Sequence, residues 1–218
     1  MFSIVRASVY KNPFIGLYFK ASDGLLLAAR NAPAKTVELA EEVLRVRSVR
    51  LFVRQSPLVG VFAAMNSTGV VLSDSAEAEE RALLKKEGLN VCTLKAFAPG
   101  NNVLCNDKAA LLNPAIHPSD ARRIGDCLGV EVFQQPITSR GVVGSLNVVT
   151  NKGLLAFNEV TDVEFKRLIQ IFGVHGARGT SNMGSVCNAF GVVANTNGAL
   201  VGQLTSGFEV QRVYEALS

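Results

Sequence analysis

Four cysteines, Cys92, Cys105, Cys127 and Cys187, are all that the 218 residues contain, and no two of them form a Cys-x-x-Cys pair. Neither histidine, His117 or His175, stands at ligand spacing from them, which argues against a zinc site and against a disulfide framework. Thiols scattered in this way are expected to be free and reduced, as in a cytosolic protein. Tryptophan is absent, and there is no Arg/Lys tract and no Gly-Arg segment. The net charge of +4 would ease approach to an RNA-rich partner, but it does not by itself mark a nucleic-acid binder. No apolar run reaches the roughly 20 residues of a membrane span, because Asn, Asp, Lys or Gly interrupts each one. The opening Met1-Phe2-Ser3-Ile4-Val5-Arg6 lacks the basic-then-apolar layout of a secretory signal. A Walker-type phosphate loop is missing too, so any nucleotide-driven step would have to come from another protein.

What the chain does have is repetition. Short polar turns stand at Ala21-Ser22-Asp23-Gly24, Asn66-Ser67-Thr68-Gly69, Asn106-Asp107-Lys108, Thr150-Asn151-Lys152-Gly153 and Asn195-Thr196-Asn197-Gly198. Each runs into aliphatic residues, such as Val70-Val71-Leu72 or Leu154-Leu155-Ala156. The spacing of about 40–45 residues signals a repeat architecture. Asn and Gly tolerate the backbone angles of tight hairpins, so Asn66, Asn106, Asp107, Asn151 and Asn195 read as turn formers rather than ligands.

The fourth copy shows the grammar most clearly. Gly144-Ser145-Leu146-Asn147-Val148-Val149 predicts a strand, and Leu154-Leu155-Ala156-Phe157 its hairpin partner. Thr161-Asp162-Val163-Glu164 is a capping box, Phe165, Leu168, Ile169 and Phe172 share one helical face, and Gly173 ends the helix. Helix starts of the same kind are expected at Asp74-Ser75-Ala76-Glu77, His117-Pro118-Ser119-Asp120 and Ser206-Gly207-Phe208-Glu209, and a further helix, from Thr36 to Leu44, has no stop glycine. The densest basic stretch, Arg45 to Arg50 with Arg54, alternates as a half-exposed strand would.

The unit is therefore strand-hairpin-helix-strand, with repeats at approximately 1–55, 56–97, 98–139, 140–182 and 183–218. A unit this short cannot bury its own apolar face, so the copies must share one core. An open stack needs polar terminal copies, yet the end segments Phe14 to Phe19 and Val210 to Leu217 are as apolar as the middle. We therefore expect one domain, 1–218, closed into a five-bladed ring with strands near the axis and helices outside.

Gly100-Asn101-Asn102-Val103-Leu104-Cys105-Asn106-Asp107, Val130-Glu131-Val132-Phe133, Val143-Gly144-Ser145 and Gly191-Val192-Val193-Ala194-Asn195 resemble the translation initiation factor 6 family. So do the opening Arg6-Ala7-Ser8 and Ile15-Gly16, and the resemblance runs through all five repeats in order. It implies the pentein fold, a five-fold pseudosymmetric α/β propeller. It also implies binding to the large ribosomal subunit at the subunit-joining surface, which blocks premature association with the small subunit, with a role in large-subunit maturation. Its implied contacts are protein uL14, with eL24 and the sarcin-ricin RNA loop nearby, and its implied contact positions are Phe62, Asn101, Leu146 and Cys187. A monomer is expected, cytoplasmic, with no cofactor, metal, membrane or small-molecule substrate. The chain ends directly after its fifth helix and so resembles archaeal members more than eukaryotic ones, which carry a further tail. It departs from the family in lacking prolines at Leu27-Ala28-Ala29, Leu72-Ser73-Asp74 and Ala156-Phe157-Asn158.

Duller roles compete for the same residues. Phe62 and Leu146 suit a core, Asn101 suits the turn after Pro99-Gly100, and Cys187 suits a small buried hydrophobe. An enzyme is the rival reading, since guanidino-modifying hydrolases and amidinotransferases share the fold class. Cys187, His175 and Asp107 would be its thiol, imidazole and acid. A catalytic thiol needs a neighbouring base and a lowered pKa, and no motif around these three residues provides either.

Overall fold

The computed structural model describes residues 2–96 and 98–218. Its strands form five three-stranded sheets, and each sheet repeats one pattern. In the second, Ala63–Met65 pairs antiparallel with Gly69–Ser73, which pairs parallel with Asn90–Leu94 across the helix Ala78–Lys86. The third, Val103–Cys105, Ala109–Leu112 and Glu131–Gln134, and the fourth, Val148–Val149, Gly153–Phe157 and His175–Gly179, follow suit. The first unites Phe19–Ala21, Leu26–Ala29 and Ser48–Leu51.

The last sheet closes the circle. Val192–Ala194 and Gly198–Gly202 come from the end of the chain, but the third strand is Ser3–Ala7, in register Val5 with Leu200. The sheets thus cut across the repeat limits read from sequence, because the opening residues complete the fifth unit rather than begin the first. Phe2 and Ile4 pack there against the core cluster to which Leu217, Val213 and Ala199 belong. An exposed sheet edge at either end of the chain is removed by this pairing.

Glycine decides how tightly the ring closes. A single helical turn stands before the first strand of every sheet: Ile15–Leu17 (3-10), Val59–Phe62, Pro99–Asn102, Val143–Leu146 and Asn188–Gly191. The second residue of these turns is Gly16, Gly60, Gly100, Gly144 and Ala189 in succession. A Cβ on Gly60 would overlap the Gly16 carbonyl oxygen, one on Gly100 that of Gly60, and one on Gly16 that of Ala189. At the four glycine positions backbone therefore packs on backbone, which a side chain there would block. This requirement also corrects the strand expected from Gly144. Val143–Leu146 turns helically to meet its neighbour, and only Val148–Val149 remains extended.

The long helices behave as their caps direct. Thr161 and Ser206 form capping boxes with Glu164 and Glu209, His117 caps Pro118–Leu128, and Gly129 and Gly173 adopt left-handed φ of 67° and 59° at the stops. The helix expected to open at Asp74 starts later, with Glu77 as the capping residue and Glu80 reciprocating. The helix without a stop glycine, Ala34–Leu44, ends on Arg45 at φ 53°. Arg45, Arg47 and Arg50 are exposed and Val46 and Val49 buried, as alternation predicts. Among the described residues no helix is long and apolar enough to cross a membrane.

Candidate docking face

Strand direction gives the ring two unlike ends. At one lie the five single-turn helices, the N-termini of the long helices and the links between sheets. At the other lie the five hairpin tips and the helix C-termini.

The short-helix end is stiffened by unusual backbone. Its links turn through pairs of left-handed residues: Tyr10 and Lys11, Arg54 and Gln55, Thr138 and Ser139, Asn182 and Met183. Non-glycine residues hold such angles only when their surroundings impose them. Capping glutamates do so at three of these four links. Glu80 accepts from the Arg54 amide at 3.1 Å and Glu164 from that of Thr138 at 2.7 Å. Glu209 accepts from the Met183 and Gly184 amides at 3.2 and 2.8 Å and from the Thr180 hydroxyl at 2.8 Å. Burial pushes the Glu209 carboxyl upward, but hydrogen bonds from Ser206, Gly184 and Thr180 outweigh it and hold the group below the usual carboxylate range. Glu164 is depressed in the same way, burial being offset by Thr161 and Thr138.

The four contact positions implied by the resemblance all lie at this end. Phe62, the last residue of its turn, is half-buried against the core of the first two units. Asn101 is half-buried, and its Oδ1 has no hydrogen-bond partner. Cys187 is half-buried just before the fifth turn, and burial raises its thiol, with Ser145 and Arg140 opposing. Leu146 is 1% exposed, packed with Val143 and Phe157, so its side chain offers no surface to a partner. The positions are not equivalent within the repeat, being the fourth, third and fourth residues of a turn and the residue before one. Sequence reading missed Tyr10, Val142, Met183, Val186, Leu204 and Phe208, which are exposed apolar groups at the same end. No local signal marked Val142, because the turn that follows it meets the backbone of the third unit and reads as strand in sequence.

Hairpin tips make the opposite end polar. Asn66, Asn106 and Asn195 accept from their own turn amides with Oδ1, and each reaches the next unit with Nδ2. Asn106 donates to Thr150 O at 3.1 Å and Phe172 O at 3.3 Å, and Asn195 to Ser22 O and Leu44 O at 3.1 and 2.8 Å. Expected as turn formers, they are turn formers that also bolt the sheets together. Over the axis Asn151 donates to Asp107 and Asp23, at 2.6 and 2.8 Å. Asp107 also accepts from Ser67, and Asp23 from the Thr196 amide. Beneath this plug is an axial cavity of about 40 Å³, entered by Lys20, whose pKa burial lowers, and by Cys105, pushed up to about 12 by burial.

The thiol-hydrolase arrangement does not assemble. Asp107 is a hairpin tip, His175 begins a strand at that same end, and Cys187 belongs to the short-helix end, where burial raises its thiol pKa rather than lowering it.

A pseudo-five-fold α/β propeller of the pentein class, closed on itself and carrying several exposed apolar side chains at one end, is what fold and surface together define. Residues 4–216 match the eIF-6 family, and the chain belongs to that family. The chain is 36% identical over its whole length to the whole of the translation initiation factor 6 of Pyrobaculum arsenaticum. The factor of the same name from Thermococcus onnurineus is 37% identical, with 98% of this chain and 97% of that protein covered. That of Pyrococcus abyssi is 34% identical, with 98% of each covered.

Proposed function

We propose that this protein is a translation initiation factor that binds the large ribosomal subunit at its joining surface and keeps the small subunit away. The observation that carries the reading is full-length kinship with factors of that name, in a closed ring whose short-helix end exposes apolar groups around a rigid backbone. Half-buried Phe62, Asn101 and Cys187 and exposed Val142 and Val186 fit the charge-poor centre of a protein–protein interface. On this reading the main contact is protein uL14, named from the family resemblance, with eL24 and the sarcin-ricin loop at the rim. The factor acts as a cytoplasmic monomer without a cofactor and performs no catalysis. Its potency is set by residence time, because steric exclusion lasts only as long as the complex. A part in large-subunit maturation follows if the same surface is occupied before the subunit is released.

Mixing large and small subunits with and without the protein on sucrose gradients tests this. Wild-type protein should reduce the joined ribosome and sediment with large subunits. Val142→Glu with Val186→Glu should weaken that binding roughly tenfold or more, since each buries an unpaired charge at the interface. Lys152→Glu, at the hairpin end, should leave it unchanged. Undiminished subunit joining with the wild-type protein would defeat the proposal.

A further inference from the structure

Between the second and third units a groove of about 750 Å³ opens at the rim, away from the axis and the docking face. Cys92, in the strand Asn90–Leu94 of the second sheet, and Cys127, in the helix Pro118–Leu128 of the third unit, both line it. The Cys127 sulfur reaches the backbone of Val70, and the strand register sets Val70 and Val71 beside Val91 and Cys92, so both thiols meet at one place in the groove. Local geometry fixes Cys127 in place. Its thiol donates to Val70 O at 3.5 Å, and its carbonyl accepts from Asn90 Nδ2 at 3.3 Å. Gly69 is needed beneath it, because a Cβ there would overlap the Cys127 carbonyl. Cys92 is half-buried and packs on the core of the third unit, to which Leu128 and Ile124 belong.

We infer that Cys92 and Cys127 are a thiol modification site, a pair that hydroperoxides convert reversibly into a disulfide stapling the second unit to the third.

The chemistry suits the site. The hydrogen bond from Cys92 holds Cys127 below the ordinary thiol range despite burial, and Cys92 is pushed up, first by that same bond and then by burial. Arg81, Lys85 and Arg123 line the groove and favour a thiolate, while Asp126, also in the groove, and Asp120, paired with Arg123 at 2.8 Å, oppose it. The Cys127 thiolate attacks one oxygen of the hydroperoxide; an S–O bond forms, the O–O bond breaks, and the alkoxide leaves and is protonated. Cys127 is then a sulfenic acid. The Cys92 sulfur attacks it, loses its proton, forms the S–S bond and expels hydroxide, which becomes water. Two electrons pass from the two thiols to the peroxide, giving one disulfide, one alcohol and one water. Hydrogen peroxide gives two waters.

The staple would tie residues 92 and 127, so the unfolded chain loses a loop's worth of freedom. A rise in Tm of roughly 5–12 °C is expected, reversed by dithiothreitol. The test uses the whole protein, exposed to a small excess of hydrogen peroxide, alkylated, and mapped as peptides without reduction. Expected are the loss of two hydrogens in mass, a single linked peptide pair holding Cys92 and Cys127, and alkylated Cys105 and Cys187. In Cys92→Ser, Cys127 should stop at a sulfenic acid that dimedone traps. Four alkylated thiols after peroxide would overturn the inference. So would oxygen added to Cys92 or Cys127 without a link, a link through Cys105 or Cys187, or a link between two chains. The wild-type map decides even if the variant does not fold.

Discussion

Asn106 shows how much one side chain holds in this ring. Its Oδ1 accepts from the Lys108 and Ala109 amides at 2.9 and 3.0 Å, and its Nδ2 satisfies two carbonyls of the fourth unit. The group is buried, so its loss leaves donors and acceptors without partners on both sides of a joint. Asn106→Ala should cost about 2–3 kcal/mol and lower Tm by roughly 5–10 °C. Thr150 is the counterpart in the fourth unit, but its hydroxyl serves only its own turn, accepting from Lys152 and Gly153. Thr150→Ala should cost about 1 kcal/mol, and equal losses in thermal melts of the two variants would refute the inter-unit role. The turn chemistry of both residues is legible in sequence. The bolt is not, because its acceptors lie 44 and 66 positions away, and only packing brings them near.

At the scale of single elements, the helices are where local rules and structure agree best. Capping boxes and stop glycines are interactions within one turn, so their residues announce them. Ala34–Leu44 is the instructive exception, ending on exposed Arg45 in a left-handed conformation that other helices give to glycine. Arg45→Gly should stabilise the protein by about 0.5–1 kcal/mol in urea titrations, since the Cβ strain exceeds the extra backbone freedom lost. No gain, or a loss, would show that the arginine stem contributes packing that outweighs the strain. The short turns were misread for the opposite reason. Val143–Leu146 has the aliphatic character of a strand, but its Gly144 packs on the carbonyl of Gly100, a contact that sequence does not show.

The whole molecule is held shut by its first strand. Ser3–Ala7 supplies the third strand of the last sheet, and without it Leu200 and Val201 lose their neighbours on one edge. A chain lacking residues 1–7 should lose more than about 4 kcal/mol, given the apolar area of Phe2, Ile4, Val5 and Ala7. Circular dichroism melts and gel filtration would show a Tm lowered by more than roughly 10 °C, or association through the bared strand. Unchanged melting would mean that the ring is closed by the short-helix contacts alone. Of the proposed docking face, the sequence offered only the four positions that the family resemblance implies, because the turn before Val148 reads as strand. Its membership was not legible, since strand alternation could not show that Leu146 points inward while Val142, before it, remains exposed.

Sequence by itself determined the repeat, the α/β unit, the five hairpin turns and the helix caps, because each depends on residues a few positions apart. Tertiary structure alone decided which strand completes the last sheet, how the asparagines join the units, and which side chains of the short-helix end face outward. These are set by contacts across the ring, where closure of the backbone leaves one arrangement free of overlap, and no local pattern encodes that constraint.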